Sequence, residues 1–319
     1  MDRARRRSRF LIAAAGFALV LGAARAGISA PPLRAVRWLA PGADAARILT
    51  RGPVECLKVP ADPEAAYRVE VGRAAFRDPL LLGGQAARAG VACETCHRNG
   101  RTNPDFDFPG VSGAPGMADV TSFVFSSHRG DRTFDPRPIP DLGGPKASLK
   151  VSQARDSPSL KTFIRGLVTE EFDGAPPPEA VLDALVAYVR TMSPAACRGS
   201  GLEPQTAGNA IADVRRAVTA AQDALAHHDP ETAKVMIQAA RTGLGDLAER
   251  YGSPALAPER RLLADAALDL ARIGGPYAPA RLATWIARSS AWEVPILHHQ
   301  AGSLYNPLRL AAALRHGRG

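Results

Sequence analysis

At 319 residues the chain is long enough for two domains, and its 46% hydrophobic content is globular, which sets aside a disordered or fibrous protein. Much of the formal charge of +9 sits at the N-terminus: without residues 1–26, which hold six arginines and one aspartate, it falls to +4. A surplus of that size reads first as a solvated, mildly basic surface, with steering toward an acidic protein partner as the alternative. With no basic run interleaved with aromatics, it does not point to nucleic acid.

Residues 1–9 hold five arginines against one acid, residues 10–24 are apolar, and Ala24-Arg25-Ala26 is a small-x-small cleavage site. This is the pattern of a secretory signal peptide over residues 1–26, so the mature protein is expected to be exported and periplasmic. The apolar stretch is short for a span of about 20 residues, and membrane association is expected only if the signal stays uncleaved. A Pro/Ala-rich, extended lead-in follows within residues 27–71. Toward its end a first helix starts at Asp62 as N-cap and Pro63 as first residue, with Val69, Gly72 and Phe76 on one face and Pro79 closing it.

After a Gly/Ala-rich link comes Cys93-Glu94-Thr95-Cys96-His97, the c-type haem attachment pattern. Each thiol adds across one vinyl group of the haem, and the adjacent imidazole becomes the proximal iron ligand. A bare Cys-x-x-Cys is ambiguous between a redox dithiol and half of a zinc site. The histidine favours haem, the remaining cysteines, Cys56 and Cys197, are isolated, and the link offers no βαβ context. One covalent haem c is expected, on Cys93, Cys96 and His97.

Residues 101–150 hold six glycines and seven prolines, which predicts an extended loop wrapping the haem edge. A second helix is predicted over residues 178–192, with Val181, Leu185, Tyr188, Val189 and Met192 at helical spacing. This arrangement resembles the cytochrome c fold. Gly72-Arg73-Ala74-Ala75-Phe76 is similar to that fold's N-terminal helix, which crosses the C-terminal helix, here residues 182–190. Glycine there implies close backbones, with Phe76 and Tyr188 filling the crossing. Asp156-Ser157-Pro158-Ser159-Leu160-Lys161 followed by Glu171-Phe172-Asp173-Gly174 resembles the Thr-Pro-x-Leu-Arg … Phe-His-Asp-Gly segment of the bacterial di-haem cytochrome c peroxidase family. The likeness covers about residues 72–195. The chain departs from the family in having one attachment motif, and in having Glu170, Glu171 and Phe172 where the family places an axial Met or His.

An all-α protein is expected: the resemblance implies a cytochrome c domain at 72–200, and the alanine-rich helical periodicity after it predicts a helical accessory domain at 203–319. In the latter Ile211, Val214, Val218 and Leu225 share one stripe, Asp229-Pro230-Glu231 starts the next helix, and further helices are predicted at 258–273, 279–289 and 307–316. The expected function is one-electron transfer with a redox partner protein. The alternative is a peroxidase-like enzyme binding hydrogen peroxide at an open distal position.

Small cytochromes c take their distal methionine from the loop before the C-terminal helix, but residues 150–177 contain neither Met nor His. Met117, on a Gly/Pro loop, is therefore the expected sixth ligand, with His128 or an open position as the alternatives. Cys56 and Cys197 flank the cytochrome-like segment, and export favours a disulfide between them over two separate buried thiols. His227-His228 reads as a helix C-terminal cap. His298-His299 falls in a connection after Pro295, without a role. Met192 and Met236 read as core. Arg129, Arg132 and Arg137 suit either haem propionates or plain solvent. Glu170 and Glu171 suit loop solvation, with proton transfer as the sharper reading.

Overall fold

The computed structural model describes residues 31–145, 149–154, 156–197, 201–275 and 278–316, so the expected signal peptide lies outside the described residues. The lead-in is not extended as its composition suggests. A 3-10 turn (Arg34–Trp38), helix α1 (Ala45–Thr50) and strand β1 (Arg51–Pro53) occupy it. Six residues are too few for a helical period to register, and what stabilises α1 is distant. Its Ile48 and Leu49 are buried with Leu33 against Leu304 and Leu310 near the far end of the chain.

Helix α2 (Pro63–Phe76) begins as the sequence indicates, with the Asp62 side chain accepting from Ala65 N and Pro63 at the first turn. Two short helices, α3 (Pro79–Leu82) and α4 (Gly84–Ala89), fill what reads as a glycine-rich link, and α5 (Cys93–Cys96) follows. Residues 97–145 are mostly irregular, as their prolines and glycines require. They are pinned by two minimal antiparallel ladders, β2 (His97–Arg98) with β3 (Arg101–Thr102), and β4 (Met117–Ala118) with β5 (Arg137–Pro138). Helix α6 (Ser159–Gly166) runs into one turn of π-helix (Leu167–Glu171), and α7 (Glu179–Thr191) completes the first part.

Helices α2 and α7 cross at Gly72. A Cβ there would stand 2.0 Å from Ala184 O, so only glycine admits this approach. Phe76 and the fully buried Tyr188 meet edge to face beside the crossing, with ring centroids 5.2 Å apart.

Strand β6 (Leu202–Pro204) returns to pair with β1. Nearby, Cys56 and Cys197 form a disulfide, Cα atoms 4.7 Å apart, which ties the entry of the first part to its exit. The helices α8 (Ala207–Ala226), α9 (Pro230–Arg250), α10 (Ala257–Ala271), α11 (Ala278–Ala287), α12 (Ser290–His298) and α13 (Pro307–His316) complete a mostly helical protein. Helix α12 is not marked in the sequence, because Pro295 lies inside it. Buried Trp292 and Ile296 hold it in place, and His298 is its last residue rather than part of a connection.

A single apolar core runs from Val69, Phe76 and Leu185 into Val214, Met236 and Leu247, so α2 packs on α8 and α9 as well as on α7. The boundary expected at residue 72 falls inside α2. Met192 and Met236 are both in this core.

Candidate functional site

Cys93 and Cys96 stand one turn apart on α5 and so share a face. The turn is held at its start by Thr95 Oγ1, which accepts from Ala92 N at 3.0 Å. At its end the His97 N–H donates to Cys93 O. Asn103, itself buried, closes the underside, donating from Nδ2 to Thr95 O and from its backbone N to Cys96 O. The chain then reverses at Asn99-Gly100, whose φ angles of +50° and +75° suit the two-residue hairpin turn that Asn-Gly favours.

The hairpin delivers His97. Leu142 N and Gly143 N both donate to Gly100 O, and Arg101 grips the Asp141 carboxylate through two nitrogens. This lays residues 139–143 along β2 and β3 and brings Pro140 O to 3.0 Å from His97 Nδ1. A carbonyl can only accept, so Nδ1 carries the proton and Nε2 keeps its lone pair free for a metal. Burial lowers the imidazole pKa to about 4 against the pull of Pro140 and Asp141, so the ring is neutral at physiological pH. Burial likewise pushes both thiols up to about 12. Among the described residues no three His, Cys, Asp or Glu side chains converge as a metal cluster would.

Against Cys93 and Cys96 packs a second apolar cluster that includes Leu82, Phe106, Phe108, Phe125, Val168 and Phe172, joined by Trp38. Trp38 stacks on Phe108 at 4.3 Å and donates from Nε1 to Ala89 O. The loop that supplies Phe125 is latched to the segment that supplies Phe172: Ser126 Oγ donates to Glu170 O, Ser127 N to Asp173, and Arg129 Nη1 lies 2.8 Å from Glu171 Oε1. Glu171 is 7% exposed, and its Oε2 is buried without a hydrogen-bond partner. Burial raises its pKa, with Arg129 and Lys150 opposing.

On its α2 side the motif rests on a buried charge network. Arg77 donates to Glu55 Oε1 and Asn99 Oδ1, both at 2.9 Å, and Tyr188 Oη donates to Glu55 Oε1 at 2.6 Å. Burial alone raises the Glu55 pKa, but Arg77, Arg73 and these hydrogen bonds outweigh it and hold the carboxyl below its ordinary range. Asn99 N donates to Glu94 Oε1, and burial, only partly offset by Arg77, pushes Glu94 up to about 7.

The remaining candidates are placed less centrally. Met117 lies in β4 directly beside Pro138, two residues from the Pro140 that holds Nδ1, the nitrogen turned away from a metal at Nε2. His128 is exposed, with Nε2 3.7 Å from Asp173. Arg137 pairs with Asp135. His227 caps α8 as expected and faces Glu64 at 3.6 Å, while His299 Nδ1 lies 2.7 Å from the buried Glu259. The Asn-Gly signal after the motif was legible in the sequence. Pro140, Glu55 and Arg77 had none, because only the fold brings them to the motif.

The chain matches no protein-family model, no curated protein and no solved structure. The donor set nonetheless fits a covalent haem: two free thiols on one face, an imidazole with its lone pair free, an aromatic wall against both thiols, and a buried oxygen beside that wall still lacking a partner.

Proposed function

We propose that this protein is an exported mono-haem c-type cytochrome that passes single electrons to and from a redox partner. In this reading Cys93 and Cys96 hold the haem through thioethers, and His97 Nε2 ligates its iron. The hydrogen bond from His97 Nδ1 to Pro140 O carries the reading, because a redox dithiol has no use for an adjacent imidazole locked in the metal-binding tautomer. When bound, the haem supplies a one-electron couple. The aromatic wall excludes water and favours the less charged, reduced form, while the Pro140 carbonyl makes the imidazole a stronger donor and favours the oxidised one. The close α2–α7 crossing at Gly72 supports a cytochrome c-like arrangement around the motif. Export is supported by the signal-like N-terminus and by the Cys56–Cys197 disulfide, a bond that persists in oxidising compartments. Among the described residues no helix is long and apolar enough to cross a membrane. The net positive charge left without residues 1–26 supports an acidic partner surface.

The test is acid–acetone extraction of the protein expressed with a haem-attachment system. Haem should stay with the wild-type chain and be lost from the Cys93→Ala/Cys96→Ala variant, while His97→Ala keeps thioether linkage and loses the proximal ligand. Covalent haem persisting in the double variant would overturn the proposal.

A further inference from the structure

Glu171 is an unusual residue to bury. Its Oε1 is satisfied by Arg129, but Oε2 has no hydrogen-bond partner, and a carboxylate oxygen buried unpaired loses its hydration without compensation. Its neighbours place the residue at the edge of the apolar cluster: Phe172 follows it, Val168 lies one turn before it, and both belong to the cluster that packs on Cys93 and Cys96. A turn of π-helix, a form common at functional sites, ends at Glu171. Two latches hold the residue in place, Ser126 to Glu170 O and Ser127 to Asp173. The other orphaned carboxylate oxygen near the motif, Glu94 Oε2, instead has the Arg77 guanidinium 3.9 Å away, toward α2.

We infer that Glu171 supplies the iron's sixth ligand through Oε2, making the site an imidazole–carboxylate one; this rests on the haem reading above. Neither competing donor belongs to that apolar cluster among the described residues. Met117 is paired beside Pro138 near the Nδ1 side of His97, and His128 is exposed next to Asp173. A ferric porphyrin core carries net positive charge and a ferrous core carries none, so the oxidised iron would offer the carboxylate's second oxygen a cation, as Arg129 does its first. The iron–oxygen bond forms from a carboxylate lone pair, and no proton or electron needs to be supplied. An anionic oxygen is a weak-field ligand that favours the oxidised state, so the potential should lie below that of a histidine–methionine site.

The experiment uses purified holoprotein and reads the ferric absorption and electron paramagnetic resonance spectra, the reduction potential, and cyanide affinity. Wild type should be high-spin and lack the near-infrared sulfur-to-iron band. Glu171→Gln, which preserves shape, should alter the spin signature and bind cyanide about tenfold more tightly, because no anionic ligand has to be displaced. Glu171→Met should introduce the sulfur band and raise the potential. Arg129→Met, which leaves Oε2 untouched, should keep a high-spin ferric signature. A sulfur band in wild type, or a Glu171→Gln protein with unchanged spectrum and cyanide affinity, would overturn the inference while leaving the cytochrome reading intact. Failure of any haem to attach would overturn both.

Discussion

Replacing Gly72 with alanine tests the helix crossing beside the Cys-x-x-Cys-His motif. On an exposed helix face Gly→Ala stabilises by about 1 kcal/mol through backbone entropy. At Gly72 the added Cβ would meet Ala184 O at 2.0 Å, Ala184 C at 2.5 Å and Leu185 N at 2.9 Å. All three are backbone atoms of α7, so no rotamer change relieves the clash. Reaching a tolerable contact just above 3.0 Å separates α2 from α7 by about 1 Å. A gap of about 0.5–1 Å forfeits a quarter to a half of each dispersion contact across it, including those between Phe76 and Tyr188. Overpacking of this kind costs about 1–3 kcal/mol. Because the clash is with backbone, the upper end applies, and after the propensity gain a net loss of about 2 kcal/mol remains. For a chain of this size that lowers Tm by roughly 3 °C. Gly245→Ala, on the exposed face of α9 with no atom within 4 Å of the new Cβ, is the control and should stabilise by about 1 kcal/mol. Thermal and urea unfolding of the full chain, followed by far-ultraviolet circular dichroism, compares the two. A Gly72→Ala protein as stable as wild type would refute the close crossing.

The disulfide closes a separation of 141 residues, so replacing Cys56 and Cys197 with serine should cost up to about 4–5 kcal/mol in the chain-entropy account. Titration of the denatured, unreduced holoprotein should find no free thiol; two titratable thiols would disprove the bridge. Glu55 has a folded pKa held below the ordinary 4.5, so its contribution to stability is complete above pH 4.5 and is lost as pH falls through the lowered value. Glu55→Gln should remove that part of the acid sensitivity and, by leaving Arg77 and Arg73 without their buried counter-charge, cost about 3 kcal/mol at pH 7. An unchanged acid limb in the variant would count against the network. A fragment of residues 27–202 strips α8 and α9 from the α2 face of the shared core, so it should unfold without a cooperative transition. A native-like transition in that fragment would instead establish two separable domains.

Signals that act within a few residues were legible in the chain itself. Asp62-Pro63 starts α2, Asp229-Pro230 starts α9, the apolar stripes mark α7 and α8, and the Cys-x-x-Cys-His spacing marks the site, because caps, periods and a one-turn thiol spacing are local geometry. The lead-in misled because α1 is too short to show a period and takes its burial from Leu304 and Leu310. Helix α12 misled because a proline normally ends a helix, and here tertiary burial of Trp292 and Ile296 overrides it. At the site, the sequence identified the thiols and the imidazole without their environment. That Pro140 fixes the histidine tautomer, that Glu55 and Arg77 underpin the motif, and that Glu171 is buried with one oxygen unpaired are contacts between residues 22 to 133 positions apart. Such contacts leave no spacing to read. Hydrogen bonding and burial select them only once the core has closed.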